Sequence, residues 1–334
     1  MARRSLVAAL LAAVLALGST LPSQAALSAS DRAERAAGYI ASKQRPNGAI
    51  PAFSPVGSTA DAVVSLVAAG VGRPTIDRAL DYLERKVRRD KVEGVGLQAK
   101  VVLAVVAAGG DPRRFGGTNL VRAIRTMEQP DGRLGATTAV FDQALGILAL
   151  VAAGRTPSDA SLAWLADAQC GDGGWQYDEP AGPGDDEHCS SGASDDYFTS
   201  DTNTTGMAVM ALEAAGGPAP AADPVAFFDA LQDPDHGGWG YTWGYQTTDA
   251  NSTALVIQAY AALGVELPSG AMHALRSLQY LRCGAFAYTF NPDGSRTGPD
   301  LGATIGAVPG LLREPFPITG RARGAAPALP ACAA

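Results

Sequence analysis

The 334-residue chain carries 26 basic and 33 acidic side chains, a net charge of −7. No basic stripe interrupts that acidity, which argues against nucleic acid or an anionic membrane as its partner. So long a chain exceeds one ordinary compact core unless it is built from repeats, and repeats are what the sequence shows.

The first segment is a leader. Arg3 and Arg4 precede an apolar run from Leu6 to Leu17, and Ser23-Gln24-Ala25 offers a small-residue cleavage site. Residues 1–25 are predicted to be a secretory signal peptide. Removing them leaves 24 basic against 33 acidic groups, a net charge of −9. No later stretch supplies ~18 uninterrupted apolar residues, so no membrane span is expected. The product is expected outside the cell, as a monomer.

Six units follow, each a first helix, a turn and a second, more apolar helix. The first runs from Asp31 to Gly70: Gln44, a turn at Pro46-Asn47-Gly48, then Ser58-Thr59-Ala60-Asp61 opening a helix that ends Val-Ala-Ala-Gly70. The second is degenerate, with Glu84 to Asp90 where a glutamine turn belongs, but its later helix from Leu97 to Gly109 is clear. The third has Gln129-Pro-Asp-Gly132, then Phe141-Asp142-Gln143 and a helix to Gly154. The fourth carries Gln169 … Gly173-Gly174-Trp175, an acidic insertion, and a helix opened by Ser200-Asp201-Thr202-Asn203 that closes at Gly216. The fifth has Gln232 … Gly237-Gly238-Trp239, then Thr248-Asp249-Ala250-Asn251 leading to Gly264. The sixth has Gln279 … Gly284-Ala285-Phe286 and a helix from about Asp300.

Polar caps before an apolar run, and glycine after it, are helix start and stop signals. The closing glycines lie 39, 45, 62 and 48 residues apart, a period that marks stacked helical pairs. The second helices are apolar all round and so should be buried, whereas the first helices carry charge on one side and should face water. Six of each predict an all-α fold, a double-layered α/α toroid over residues 26–315, with a Pro/Ala-rich tail over residues 316–334.

At these residues the chain resembles the terpenoid cyclase and protein prenyltransferase superfamily. The triterpene cyclases carry a repeated glutamine–tryptophan motif, Q-x(2–5)-G-x-W. Gln169 to Trp175 and Gln232 to Trp239 match it, Gln279 to Phe286 does so conservatively, and Gln129 and Gln44 head weaker copies. The resemblance implies that each glutamine bonds the open end of the next helix while the tryptophan packs on it. It speaks for fold more than for function, because such toroids include cyclases, prenyltransferase β-subunits, thioester domains and cobalamin carriers.

The functional signatures of those groups are incomplete. Where a cyclase places its acidic aspartate, this chain has Asn203 or Asn251, and an amide is no general acid. Neither the D-x-C that begins a prenyltransferase zinc site nor the G-C-G-E-Q of thioester domains occurs. The polar-capped helices at Ser200–Leu212 and Thr248–Tyr260 look like those of cobalamin carriers, although those proteins add a β-domain that closes over the ligand and none is expected here.

Asp201 with Asn203, and Asp249 with Asn251, are therefore candidates for a ligand site at the toroid mouth, plain capping being the competing role. Trp243 and Tyr245, and Tyr197 and Phe198 beside the acidic insertion, are aromatics the repeat does not account for. Trp243 and Tyr245 suit a flat or cationic ligand, and Tyr197 and Phe198 could fold the insertion over the opening. The insertion over residues 178–196 reads as a solvated loop, with calcium a lesser alternative. His236 reads as a turn residue.

Four cysteines allow three pairings, of which Cys170–Cys189 and Cys283–Cys332 are favoured because each closes a loop otherwise untethered. Zinc on Cys170, Cys189 and His188 competes but lacks a ligand spacing. These observations predict a secreted, cofactor-free binder of a hydrophobic or ring-shaped small molecule, isoprenoid-like or cobalamin-like, without catalysis. The alternative is a terpene cyclase-like enzyme using Asp201 or Asp249 as proton donor.

Overall fold

The computed structural model describes residues 27–179, 189 and 199–332. The leader, His188, Tyr197 and Phe198 lie outside the described residues, as does nearly all of the acidic insertion. Among those described, helices follow one another as α1 (Ala29–Ser42), α2 (Pro55–Ala68), α3 (Arg73–Val87), α4 (Val95–Ala107), α5 (Leu120–Thr126) and α6 (Val140–Ala152). The second half continues with α7 (Asp159–Asp167), α8 (Thr202–Ala215), α9 (Pro224–Leu231), α10 (Ala250–Leu263), α11 (Ala271–Ser277) and α12 (Leu301–Leu312).

The even-numbered helices form the inner ring. α2 packs on α4, α4 on α6, and so on to α12, which returns to α2 and closes the circle. The odd-numbered helices lie outside them. This is the expected α/α toroid, and it sorts by composition. α8 buries Thr202 and then every residue from Thr204 to Leu212, whereas α3 buries only Thr75, Ile76, Ala79, Tyr82, Leu83 and Val87 along one stripe.

Closure reaches across the sequence. α1 packs chiefly on α12, the last inner helix, rather than on its own successor α2. Gln279 fastens this seam by donating from Nε2 to the Arg32 carbonyl at 2.9 Å. The same glutamine device recurs along the ring. Gln169 Nε2 donates to the carbonyls of Gly173 (3.0 Å) and Ala222 (2.8 Å), and its Oε1 accepts from Ala222 N, tying one turn to the entry of α9. Gln232 reaches Gly237 and Ser269, and Gln44 reaches Gly48 and Thr75. The tryptophans point the other way. Trp175 Nε1 donates to Leu165 O at 2.8 Å and Trp239 Nε1 to Phe228 O at 2.7 Å, each sealing its own preceding outer helix rather than the next one.

Unit three departs from expectation. Among the described residues, the Gln129 side chain bonds only the nearby Met127 carbonyl. Its role passes to Gln143 of α6, which accepts from Leu134 N (2.7 Å) and donates to the carbonyls of Gly132 and Ser161. A side chain from the first turn of α6 thus completes the corner, because a buried polar corner must be paired by whatever group can reach it.

The inner helices end as the glycine pattern predicts. Gly216 adopts φ 62°, and Gly217 N donates back to Leu212 O, the Schellman arrangement. The sixth helix lacks that glycine, so Arg313 takes the left-handed conformation itself, at φ 56°. Beyond it the tail crosses the C-terminal ends of the ring. Gln258 of α10 donates to Glu314 O, Phe316 N approaches Met210 Sδ of α8, and Gly320 abuts Val67 of α2. It then pairs Arg323 with Gly70 and reaches α1, where Gly38 leaves room for Pro327. Both favoured disulfides are formed, Cys170–Cys189 and Cys283–Cys332, the second anchoring the end of this tail. The alternative zinc site is thereby excluded, its two thiolates being consumed.

Candidate functional site

Hairpin loops strap the beginnings of the inner helices together. Val140 N donates to Tyr177 O, Thr202 N to Tyr241 O and Ala250 N to Tyr288 O, each linking one helix start to the loop that enters the next. The N-termini of α6, α8, α10 and α12 therefore share one face of the toroid. Three of these helices are capped by aspartate, Asp201, Asp249 and Asp300. Four residues beyond each cap stands a threonine whose hydroxyl accepts the N–H of the motif aromatic: Thr205 from Trp175 (2.8 Å), Thr253 from Trp239 (2.9 Å) and Thr304 from Phe286 (2.9 Å). Cap, threonine and aromatic make one buried corner per unit.

That corner defines what the capping carboxylates do. Asp201 Oδ1 accepts from Asn203 N (2.9 Å) and Thr204 N (2.7 Å), while Asp249 accepts from Ser252 N (2.8 Å) and the Ser252 hydroxyl (2.7 Å). Both side chains are almost wholly buried. Burial pushes the Asp201 carboxyl up to about 7, although the N–H groups of Thr204 and Asn203 and the Tyr241 hydroxyl pull the other way. Burial likewise pushes Asp249 up to about 6 against its bonds to Ser252 and Asn251.

A cavity of about 240 Å³ lies on the axis of the ring, bordered by side chains from all six inner helices. Phe141, Leu145, Met207, Leu255 and Ile305 give it an apolar wall. Its polar side chains are Ser58 and Ser65 of α2, Asn251 and Gln258 of α10, and the pair Lys100–Asp61, whose Nζ and Oδ2 are 2.8 Å apart. Phe53 stands at the edge, 79% exposed, with its ring against Gly302, where a methyl group would come within 2.4 Å of it. Phe316 of the tail borders the same space. Next to Lys100, Asp142 at the start of α6 is pushed up by burial and by Asp178, against the pull of Lys100 and the Gly96 N–H.

Of the proposed ligand-binding residues that are among the described ones, only Asn251 borders this cavity. Asp201 and Asp249 sit behind the rim as caps. Asn203 is half-buried beside them, its Oδ1 without a hydrogen-bond partner among the described residues. Trp243 and Tyr245 occupy an exposed loop before α10, Trp243 packing edge-on against Phe227 at 6.4 Å. His236 is a turn residue, its Nδ1 3.0 Å from Asp233 Oδ2 and its ring stacked on Phe290. No group of three metal-ligating side chains occurs among the described residues. Sequence reasoning passed over Asp61, Lys100 and Gln258. A charged or amide side chain in the middle of an otherwise apolar inner helix was the available signal, because such a group must face a partner or a lumen.

The chain matches no protein-family model and no curated protein at the level of sequence. Solved structures share its fold. An α-1,6-mannanase from Salegentibacter sp. HEL1_6 superimposes with a TM-score of 0.56 at 12% identity, over 86% of this chain and 98% of that one. The type II terpene cyclase MstE from Scytonema does so at 0.58 and 15%, covering 85% and 98%. An unsaturated glucuronyl hydrolase from Bacillus sp. GL1 gives 0.59 and 12%, covering 88% and 98%. Identities this low establish a common α/α toroid and nothing about chemistry.

Proposed function

We propose that this chain is an exported binding protein, holding an apolar small molecule in the central cavity without transforming it. The axial cavity carries the proposal. Its wall is apolar, and its few polar groups converge from two sides, the Lys100–Asp61 pair and the Asn251–Gln258 pair, the pattern by which a pocket orients a mostly hydrophobic ligand. At about 240 Å³ it falls below the roughly 300–1,000 Å³ of pockets that enclose a whole drug-sized molecule. A bulky ligand would place one ring or chain end inside and leave the remainder at the mouth, over Phe53. Two disulfides support an oxidising compartment and thus export.

The competing cyclase-like reading draws on the raised Asp201 and Asp249, since a neutral carboxyl can donate a proton. Against it, each carboxylate already accepts hydrogen bonds at the start of its own helix, and neither borders the cavity. Asp61, the carboxylate that does border it, is ion-paired with Lys100.

Native mass spectrometry of the protein purified from its own host tests the proposal. An added mass is expected, and Leu255→Trp, which fills the cavity, should lose it. A retained mass in that variant, or turnover of an isoprenoid substrate abolished by Asp201→Asn, would overturn the binding reading.

A further inference from the structure

Where α1 closes the ring against the sixth unit, the outer surface holds a second cavity, of about 590 Å³. Its electrostatics run against those of the chain. Arg32, Arg276, Arg282, Arg296 and His273 all border it, and no carboxylate side chain does so among the described residues. In a protein of net charge −7, four guanidinium groups around one hollow are not a by-product of general basicity.

The arginines divide into two kinds. Arg32 and Arg296 are held in place by their neighbours. Arg32 is nearly buried and donates from Nη1 to Gln279 Oε1 at 3.2 Å. Arg296 donates to Gln279 O at 2.6 Å, and its guanidinium lies 4.2 Å from the centre of the Tyr280 ring. Tyr280 is fixed in turn by donating its hydroxyl to Thr297 O. Arg276, near the end of α11, and Arg282, on the turn before Cys283, are exposed and make no hydrogen bond or ion pair to a described residue. The positive charges also act on one another, since burial and the neighbouring Arg276 both push the Arg32 guanidinium below its ordinary value.

The groove is also held to shape. The Cys283–Cys332 disulfide forms one edge and the Gln279 corner forms its floor. Like charges kept together by a rigid frame, two fixed within it and two with open side chains, are poised for an anion that bridges them. Planar guanidinium forks match phosphate and sulfate oxygens in paired, charge-assisted hydrogen bonds, which are stronger than those between neutral groups. We propose that this groove is a binding site for a compact oxyanion bearing at least two negative charges, of the phosphate, diphosphate or sulfate-ester class, separate from the axial cavity.

The test is calorimetric titration of the intact, disulfide-bonded protein with inorganic pyrophosphate and with sulfate, at ionic strength held constant with sodium chloride. Saturable one-to-one binding of pyrophosphate is expected, with sulfate competing more weakly. Arg276→Gln combined with Arg282→Gln, both on exposed side chains, should weaken it at least tenfold while the melting temperature and the native mass of any cavity ligand stay unchanged. Lys86→Gln combined with Arg88→Gln, at the C-terminal end of α3 and outside the groove lining, should leave it within twofold. Equal weakening by both double variants would show general charge attraction and overturn the site. So would the absence of saturable binding in the unaltered chain.

Discussion

Asp201→Asn separates the two forces acting on the most deeply buried cap. In the folded chain burial raises this carboxyl from 3.8 to about 7. The sign follows from which state holds the proton more tightly. Below the unfolded value the group is neutral in both states and carries no penalty. As pH rises from about 4 to about 7 the unfolded chain ionises while the folded one resists, so stability falls across that window and levels off above it. A shift of roughly three units, at ~1.4 kcal/mol each, amounts to about 4 kcal/mol. Asparagine is neutral throughout and nearly as good a cap, costing a few tenths of a kcal/mol. Urea denaturation at pH 4, 5, 6, 7 and 8, at fixed ionic strength, should show the variant slightly less stable than the parent at pH 4 and more stable at pH 8. The difference between the two should swing by about 4 kcal/mol. The remaining slope belongs in part to Asp249, raised to about 6, and should end one unit earlier. Parallel curves for parent and variant would refute the reasoning. They would mean that the helix N–H groups and the Tyr241 hydroxyl hold Asp201 ionised despite its burial.

Two further substitutions test the frame. Gln143→Leu leaves Leu134 N and the carbonyls of Gly132 and Ser161 without their partner, and should cost about 2–4 kcal/mol; Gln129→Leu, which loses one local bond, should cost under ~1 kcal/mol, and a reversed order in urea titration would contradict the corner assignment. Arg313→Gly relieves a side chain held at φ 56° and should stabilise the chain by about 1 kcal/mol, read as a rise of roughly 2 °C in melting temperature; an unchanged or lower value would show that the Arg313 side chain compensates for its backbone.

Much of this architecture is written locally. Aspartate caps act over three residues, as Asp249 does on Ser252, and a glycine stop such as Gly216 acts over five, so both are legible from one stretch of chain. The repeat then multiplies the local signal until a toroid is the arrangement that buries every apolar helix. The cysteine pairs were legible for a similar reason, each tethering a segment that no helix pattern holds.

What only the tertiary structure decided depends on groups brought together from distant units. A lone charge on an apolar inner helix signals that it needs a partner or a lumen but not which one, so Asp61 of α2 and Lys100 of α4 became partners only when the ring set α2 against α4. The exchange of Gln129 for Gln143 was hidden because either glutamine satisfies a motif, while only distance selects which one reaches Ser161. The closing of α1 on α12 and the passage of the tail across the ring ends are likewise long-range facts, set by which apolar surfaces remained uncovered once the six pairs had stacked. Helix caps are chosen by neighbours in sequence; the lumen and the seam are chosen by neighbours in space.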